Sequence, residues 1–174
     1  MSRFYRILLE VERPLFLHVN TRWNRSALNW IFQLLSLIAG ATFSLAISLA
    51  AGLFAPGPWS HAGWLAFASI VLSHIPVAIA KRSAPRLRPY QVLPQTNTGR
   101  RPLKDPSFPS GHTTAAFAML TPWMLMEPLF IPVLLPIGIG VALSRIYFGL
   151  HFPSDTVAGA VLGSSTVLLL SIWI

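Results

Sequence analysis

The feature that most constrains the fold is a long segment without charge: residues 27–54 contain no Lys, Arg, Asp or Glu. A helix of this length exceeds the roughly 20 apolar residues that cross the ~30 Å hydrocarbon core of a bilayer. Over the whole chain 53% of residues are hydrophobic and 10% are charged, whereas soluble domains carry about 25% charged residues. The sequence therefore predicts an integral membrane protein.

Four further apolar segments follow, each bounded by a turn, a proline or a polar stretch. They cover residues 61–80, 110–126, 129–143 and 153–174, and the second of them is short. The predicted architecture is all-α, a polytopic membrane helix bundle with about five transmembrane helices in a single domain, residues 1–174. Gly159 and Gly163, four apart in the last segment, predict a face where another helix packs closely.

The N-terminal region, residues 1–25, predicts an amphipathic helix. Charged residues recur at spacings of three and four, and apolar residues recur on the opposite side: Arg3, Arg6, Glu10 and Arg13 against Phe4, Leu8, Val11 and Leu15. Such a helix has too many charges to span, so we expect it to lie in the membrane interface. The alternative is a basic tail with no fixed position.

A polar loop, residues 81–109, separates the second and third apolar segments. Loops this long inside a compact domain are usually functional or disordered. Seven of the thirteen Lys and Arg residues of the chain lie in it. Lys81 and Arg88 are candidates for a binding site. The others are interpreted as ordinary cations that flank a membrane: Arg82, Arg86, Arg100, Arg101 and Lys104.

Five spans bring three polar clusters to one membrane face. The second span ends there, the third begins there, and the chain returns to the same face between the fourth and fifth spans. The clusters at these ends are Lys81 with Arg88, then Ser110, Gly111 and His112, and last Arg145, His151 and Asp155. The topology alone therefore predicts that the clusters meet.

The middle cluster has the pattern of a helix start. Pro109 turns the chain, Ser110 caps the helix, and Gly111 and His112 fall in its first turn. Unpaired backbone N–H groups and the positive end of the helix dipole make such a position suitable for phosphate. The pattern indicates an anion site.

Cations from the other clusters strengthen this interpretation. Lys81, Arg88 and Arg145 supply up to three positive charges, and an arginine can hold phosphate through two parallel N–H contacts. A phosphomonoester with close to two negative charges would match them. The alternative is again a set of membrane-flanking cations, although Arg145 lies between two apolar stretches.

His151 and Asp155 are four apart at the entry to a helix. The carboxylate can accept one imidazole N–H and leave the other ring nitrogen free to attack phosphorus, with His112 as the second histidine. One histidine would then attack while the other protonates the leaving oxygen. The three residues could instead bind a metal, but the nearby cations would repel a divalent ion. We therefore expect no metal and no other cofactor.

These residues resemble the three-part signature of the type 2 phosphatidic acid phosphatase superfamily. The parts are Lys81-x6-Arg88-Pro89, Pro109-Ser110-Gly111-His112 and Ser144-Arg145-x5-His151-x3-Asp155. The resemblance implies a haloperoxidase-like helical core and a metal-independent phosphatase that works through a phosphohistidine. It makes His151 the nucleophile, Asp155 its orienting partner and His112 the proton donor. It also implies five phosphate-binding residues: Lys81, Arg88, Ser110, Gly111 and Arg145.

Size and architecture are similar to those of bacterial lipid A 1-phosphatases, so a phosphorylated membrane lipid is the expected substrate. Phosphatidylglycerophosphate and undecaprenyl diphosphate phosphatases share the signature and remain alternatives, as does a lipid phosphotransferase. Five spans argue against a haloperoxidase. An anionic lipid-binding or transport protein would not need His112, His151 and Asp155. The net charge of +8 indicates lipid head groups rather than nucleic acid; no oligomeric state is predicted.

The expected location is the bacterial inner membrane. All thirteen Lys and Arg residues fall on the predicted site face, so the positive-inside rule would place that face in the cytoplasm. Bacterial enzymes of the family usually act on the periplasmic face, and several of these cations are needed for phosphate on either side. We therefore expect a periplasmic site.

Overall fold

The computed structural model describes residues 3–23, 25–98 and 103–173, with side chains from Ile7 onward. Within these ranges the chain forms α-helices joined by turns and loops, with no strand. The helices are α1 (Arg3–Leu17), α2 (Ser26–Ile38), α3 (Ala41–Phe54), α4 (Pro58–Ser83), α5 (Pro89–Val92), α6 (Gly111–Met126), α7 (Ile131–Tyr147) and α8 (Pro153–Leu170). A π-helical turn, His18–Arg22, follows α1, and a 3-10 turn, Pro128–Phe130, precedes α7.

Helix α6 is the centre of the bundle. It packs against α3, α4, α7 and α8, and residues 113–122 are buried except for Phe117. A side-chain carbon on Gly159 of α8 would lie 2.6 Å from the Ser110 carbonyl oxygen, and one on Gly163 would lie 2.4 Å from that of Thr114. The predicted close-packing face of α8 is therefore confirmed, and it brings the start of α8 against the start of α6.

The five predicted apolar segments are all helical, but they differ in length. Among the described residues α4, α8 and the segment Pro128–Tyr147 are long and apolar enough to cross a membrane. Helices α2 and α3 would form a fourth span only as a pair, bent by 58°, because Gly40 adopts an extended conformation between them. Helix α6 has 16 residues, fewer than the roughly 20 that a span needs, and other helices surround it.

Helix α1 packs against the bundle through one side. Glu12 and Phe16 are buried, and the Phe16 ring centroid lies 5.5 Å from that of Phe152. Val11 and Leu15 on another side are more than half exposed. The region therefore has a fixed position, unlike a free basic tail. Its place in the membrane interface stays a prediction, and residues 1, 2 and 24 of the segment lie outside the described residues.

Buried Asn20 ties the long polar loop to the end of α7. Its Nδ2 donates to the carbonyl oxygens of Asn97, at 2.9 Å, and Tyr147, at 2.8 Å. The Asn97 backbone N–H donates back to Asn20 Oδ1 at 2.9 Å. The loop is thus held by the N-terminal region, and α4 extends into its predicted range as far as Ser83. Residues 99–102, including Arg100 and Arg101, lie outside the described residues.

Candidate active site

A cavity of about 460 Å³ opens where α4 ends, α6 begins and α7 turns into α8. Five of the eight predicted site residues line it: Lys81, Arg88, Gly111, His112 and His151. The other three, Ser110, Arg145 and Asp155, are buried and contribute through contacts behind the cavity wall. His74 also lines the cavity, and its Nδ1 hydrogen-bonds the Ile70 carbonyl oxygen at 2.8 Å. The predicted meeting of the three clusters is therefore observed.

Arg88 connects the loop to the turn between α7 and α8. It is almost fully buried, and its Nη1 donates to the Leu150 carbonyl oxygen at 2.6 Å. Its Nε donates to the Asp105 carbonyl oxygen at 2.8 Å, and its Nη2 donates to Asp105 Oδ1 at 3.0 Å. Nη1 also lies 3.3 Å from His151 Nε2. The guanidinium is therefore fixed beside the imidazole.

Asp105 is a site residue that sequence reasoning missed. Its carboxylate forms ion pairs with both Lys81 and Arg88, and Lys81 Nζ also donates to the Pro106 carbonyl oxygen at 3.1 Å. Partial burial opposes ionisation, but the two cations hold the pKa of Asp105 below its usual value. The carboxylate is therefore ionised at neutral pH and occupies donors of both cations.

Ser110 forms the predicted helix cap. Its Oγ accepts a hydrogen bond from the Thr113 backbone N–H at 3.4 Å and lies 3.0 Å from Thr113 Oγ1. Its own backbone N–H donates to the Asp155 carbonyl oxygen at 3.0 Å. The start of α6 is thereby attached to the start of α8, with Gly111 and His112 left at the cavity.

Arg145 acts from behind the cavity wall. Its side chain is buried, and Nη1 donates to Ser36 Oγ of α2 at 2.6 Å. Its carbonyl oxygen accepts the backbone N–H groups of Leu150, at 3.0 Å, and His151, at 3.3 Å. Arg145 therefore fixes the backbone of the α7–α8 turn and places a positive charge near His151.

His151 directs its two ring nitrogens to different partners. Nδ1 lies 3.7 Å from Asp155 Oδ2, beyond hydrogen-bond range, although catalytic hydrogen bonds often tighten only when substrate binds. Nε2 lies beside Arg88 at the cavity. Because a guanidinium can only donate, this contact indicates that Nε2 carries a lone pair and Nδ1 carries the proton. The Nε2 lone pair therefore lies at the cavity, where it accepts the Arg88 N–H in this conformation.

Burial lowers the pKa of the His151 imidazole to about 4, with the charges of Arg145 and Arg88 acting in the same direction and Asp155 opposing them. The side chain is therefore neutral at pH 7 and becomes protonated only in acid. A neutral imidazole is the form that can attack an electrophile. The environment keeps the nucleophilic form of His151 available at physiological pH.

The interpretation of Arg86 drawn from the sequence was wrong. It was expected to be a membrane-flanking cation, but it is 8% exposed and forms ion pairs with Asp155 and Glu12. The signal was available in part, because residues two apart in an extended segment point to the same side, and Arg86 precedes Arg88 by two. Arg82 and Lys104 are exposed, as flanking cations would be.

Metal binding has no support from side-chain clustering. Within residues 3–23, 25–98 and 103–173, no group of three or more His, Cys, Asp or Glu side chains is arranged to hold an ion. His151 and Asp155 are surrounded by Arg86, Arg88 and Arg145. Such a donor set suits an anion rather than a divalent cation.

Residues 62–174, which contain all three clusters, match the sequence profile of the PAP2 superfamily. The chain belongs to the PAP2 superfamily. Curated relatives of this PAP2 chain include a Rhizobium etli lipid A 1-phosphatase, 30% identical over 118 residues, covering 65% of this chain and 50% of the relative. A Sulfolobus acidocaldarius undecaprenyl-diphosphatase is 31% identical over 97 residues, covering 55% and 47%. The chain spans about half the length of these relatives.

Solved PAP2 structures share the fold. Aquifex aeolicus LpxE superposes with a TM-score of 0.82 and 25% identity, covering 94% of this chain and 96% of that one. A transmembrane PAP2-type phosphatidylglycerolphosphate phosphatase from Bacillus subtilis gives a TM-score of 0.78 at 19% identity, covering 96% and 86%. The second likeness concerns the fold alone. Together they confirm the expected all-α membrane PAP2 architecture.

Proposed function

We propose that this PAP2 protein is a metal-independent lipid phosphatase that hydrolyses a head-group phosphate through a phosphohistidine at His151. The observation that carries the proposal is the orientation of His151, with Nε2 at the cavity beside Arg88 and Nδ1 toward buried Asp155. Family membership and the curated relatives support the same activity. An anion-binding protein would need the cations but no imidazole oriented in this way.

In the first step His151 Nε2 attacks phosphorus. The N–P bond forms, the bond from phosphorus to the lipid oxygen breaks, and His112 donates a proton to that oxygen. The His151 ring becomes cationic, which the Asp155 carboxylate stabilises through Nδ1–H. Lys81, Arg88, Arg145, Ser110 and the Gly111 N–H are the groups we assign to the negative charge on the phosphoryl oxygens.

In the second step water attacks the phosphohistidine. His112, now neutral, accepts a proton from the water as the O–P bond forms and the N–P bond breaks. Inorganic phosphate leaves, His151 Nε2 regains its lone pair, and His112 is protonated again. No redox change and no metal are required.

We propose lipid A carrying a 1-phosphate as the substrate. The Rhizobium etli relative and the likeness to Aquifex aeolicus LpxE favour this choice. The Sulfolobus acidocaldarius relative makes a lipid diphosphate the second candidate. Both are amphiphiles whose phosphate lies at the membrane surface, where a cavity at the helix ends would meet it.

We propose that the protein resides in the bacterial inner membrane with its cavity on the periplasmic face. The apolar spans support a membrane location. Several loop cations are engaged in the site, as Arg86 and Arg88 show, so they do not report orientation. Adding a reactive label at exposed Lys104 and testing its access from the periplasm would determine the side.

Phosphate release by purified protein in detergent tests the proposed reaction. The substrates are lipid A, undecaprenyl diphosphate, phosphatidylglycerophosphate and phosphatidic acid, each with and without EDTA. We expect release that chelation leaves unchanged, fastest with lipid A, because the site uses cationic side chains in place of a metal. A requirement for a divalent metal would contradict the mechanism. Release from none of the four lipids would contradict the function.

Asp105→Asn is expected to tighten the binding of inorganic phosphate by about three- to tenfold. The native carboxylate is paired with Lys81 and Arg88, so phosphate competes with it for the same donors. The measurement is the competitive inhibition constant of phosphate. Glu127→Gln, which removes an acidic group beyond the far end of α6, is the control and should change nothing. Weaker phosphate binding in Asp105→Asn would show instead that Asp105 organises the cations.

A further inference from the structure

Arg86 lies between two buried carboxylates from distant parts of the chain. Its Nη1 donates to Asp155 Oδ1 at 2.7 Å and to Ser154 Oγ at 2.7 Å. Its Nη2 forms the ion pair with Glu12 of α1. All three charged side chains are at most 8% exposed. Burying charges is unfavourable unless they are paired and hydrogen-bonded, so this arrangement is a built feature of the fold.

The two carboxylate oxygens of Asp155 have different hydrogen-bond partners. Oδ1 is held by Arg86. Oδ2 accepts the Phe152 backbone N–H at 2.8 Å and the Ser107 hydroxyl, and it is the oxygen that faces His151. Arg86 therefore binds Asp155 without occupying the oxygen that faces the imidazole. Its positive charge offsets part of the negative charge of the carboxylate.

Glu12 completes the arrangement from the N-terminal helix. Its second oxygen, Oε2, accepts the Ser154 backbone N–H at 3.0 Å, at the start of α8. The Arg86 guanidinium also lies 4.4 Å from the centre of the Phe152 ring, which packs against Phe16 of α1. Helix α1 is thus linked to Asp155 through Arg86, and to the residue before α8 through the packing of Phe16 on Phe152.

We propose that Arg86 is a positioning residue for the reaction: it holds Asp155 Oδ1 and offsets part of the negative charge that Asp155 directs at His151. Glu12 in turn offsets the charge of Arg86, so that Asp155 keeps most of its effect on the imidazole. The N-terminal helix is then part of the catalytic apparatus rather than only a membrane anchor. The proposal deepens the phosphatase function and rests on it. Neither residue touches the cavity, so both act through Asp155.

Other charged and titratable groups also face His151, and the test has to hold them constant. Asp155 approaches from α8, Arg145 from α7 and Arg88 from the loop. The remaining groups share its cavity: His74, Lys81, Asp105 and His112. Arg86 and Glu12 lie behind Asp155, so Asp155 is the one group among these that replacing Arg86 alters directly.

The test compares Arg86→Gln, Glu12→Gln and the double variant with the wild type. The readouts are the acid limb of kcat and the titration of the His151 ring by NMR of histidine-labelled protein. Loss of Arg86 leaves Asp155 free to stabilise a protonated imidazole, so both readouts should move up by about one pH unit. Loss of Glu12 leaves Arg86 unopposed, so both should move down, and the double variant should lie between the single variants.

If Arg86 and Glu12 only stabilised the fold, their variants would yield less folded protein, and the folded fraction would keep the wild-type pH profile. That result would overturn the proposal, as would shifts in the same direction for both single variants. Arg82→Gln removes an exposed cation nearby and is the matched control. If Arg86→Gln does not fold, Glu12→Gln still decides the matter by the direction of its shift. The NMR titration does not depend on turnover, so it tests the role of Arg86 even if the wild type is inactive. An inactive wild type would count against the phosphatase function alone.

Discussion

His151→Ala is expected to lower phosphate release from the lipid substrate by about 10⁴-fold or more, because it removes the atom that forms the covalent intermediate. The binding of inorganic phosphate should change little. The cations that we assign to phosphate hold their positions through other contacts, such as that of Arg88 with Leu150. Turnover and phosphate affinity, measured on the same preparation, distinguish loss of chemistry from loss of the site.

The matched control is His61→Ala. His61 lies in the first turns of α4 and Lys81 near its last, so His61 is far from the cavity and its loss should leave turnover intact. A further check uses acid-quenched wild-type protein, in which a phosphorylated histidine should be trapped during turnover and be absent from His151→Ala. Full activity in His151→Ala would refute the nucleophile assignment, whatever the lipid.

Arg88→Lys is expected to weaken phosphate binding by about 10²-fold and to lower the melting temperature. A lysine keeps the charge but has one compact donor group, whereas the Arg88 guanidinium donates to the Leu150 carbonyl oxygen and to Asp105 at the same time. The buried Leu150 carbonyl oxygen would lose its partner, which typically costs about 1–3 kcal/mol. KM, the phosphate inhibition constant and thermal unfolding measure the two effects.

Arg82→Lys is the control for this substitution, since Arg82 is exposed at the end of the same helix that carries Lys81. It should leave all three quantities unchanged. If Arg88→Lys bound phosphate as tightly as the wild type, a single positive charge would suffice at this position. The parallel N–H donors of the Arg88 guanidinium would then have no role in phosphate binding.

The helices could be predicted where the determining features are local. Pro153 starts both the predicted segment and α8, because proline suits a first helical position, whereas α4 starts at Pro58, three residues before the predicted segment. The segment of residues 27–54 was predicted as one continuous run since its composition is uniformly apolar. The bend at Gly40 depends on one backbone conformation between α2 and α3, and apolar composition contains no signal for it.

Some residues of the candidate site could likewise be predicted from local features of the sequence, and others could not. Lys81, Arg88, His112, His151 and Asp155 could be found because each lies at the end of an apolar segment, and a bundle must bring such ends to one face. Arg86 was grouped with the flanking cations because its partner Glu12 is 74 residues away in the chain, and the two-residue spacing from Arg88 was only a partial signal. Asp105 was overlooked because a lone acidic residue in a polar loop is usually solvated.

The sequence by itself determined the membrane class, the apolar segments that become helical and the three clusters that meet at one face, because hydrophobic length and helix-ending residues act over a few turns. Only the tertiary structure decided which charges are buried and paired. Arg86 and Arg82 are four residues apart, yet Arg86 is enclosed between α1 and α8 while Arg82 is exposed. A buried charge is stable only when it is paired, and the pairing residue comes from another part of the fold.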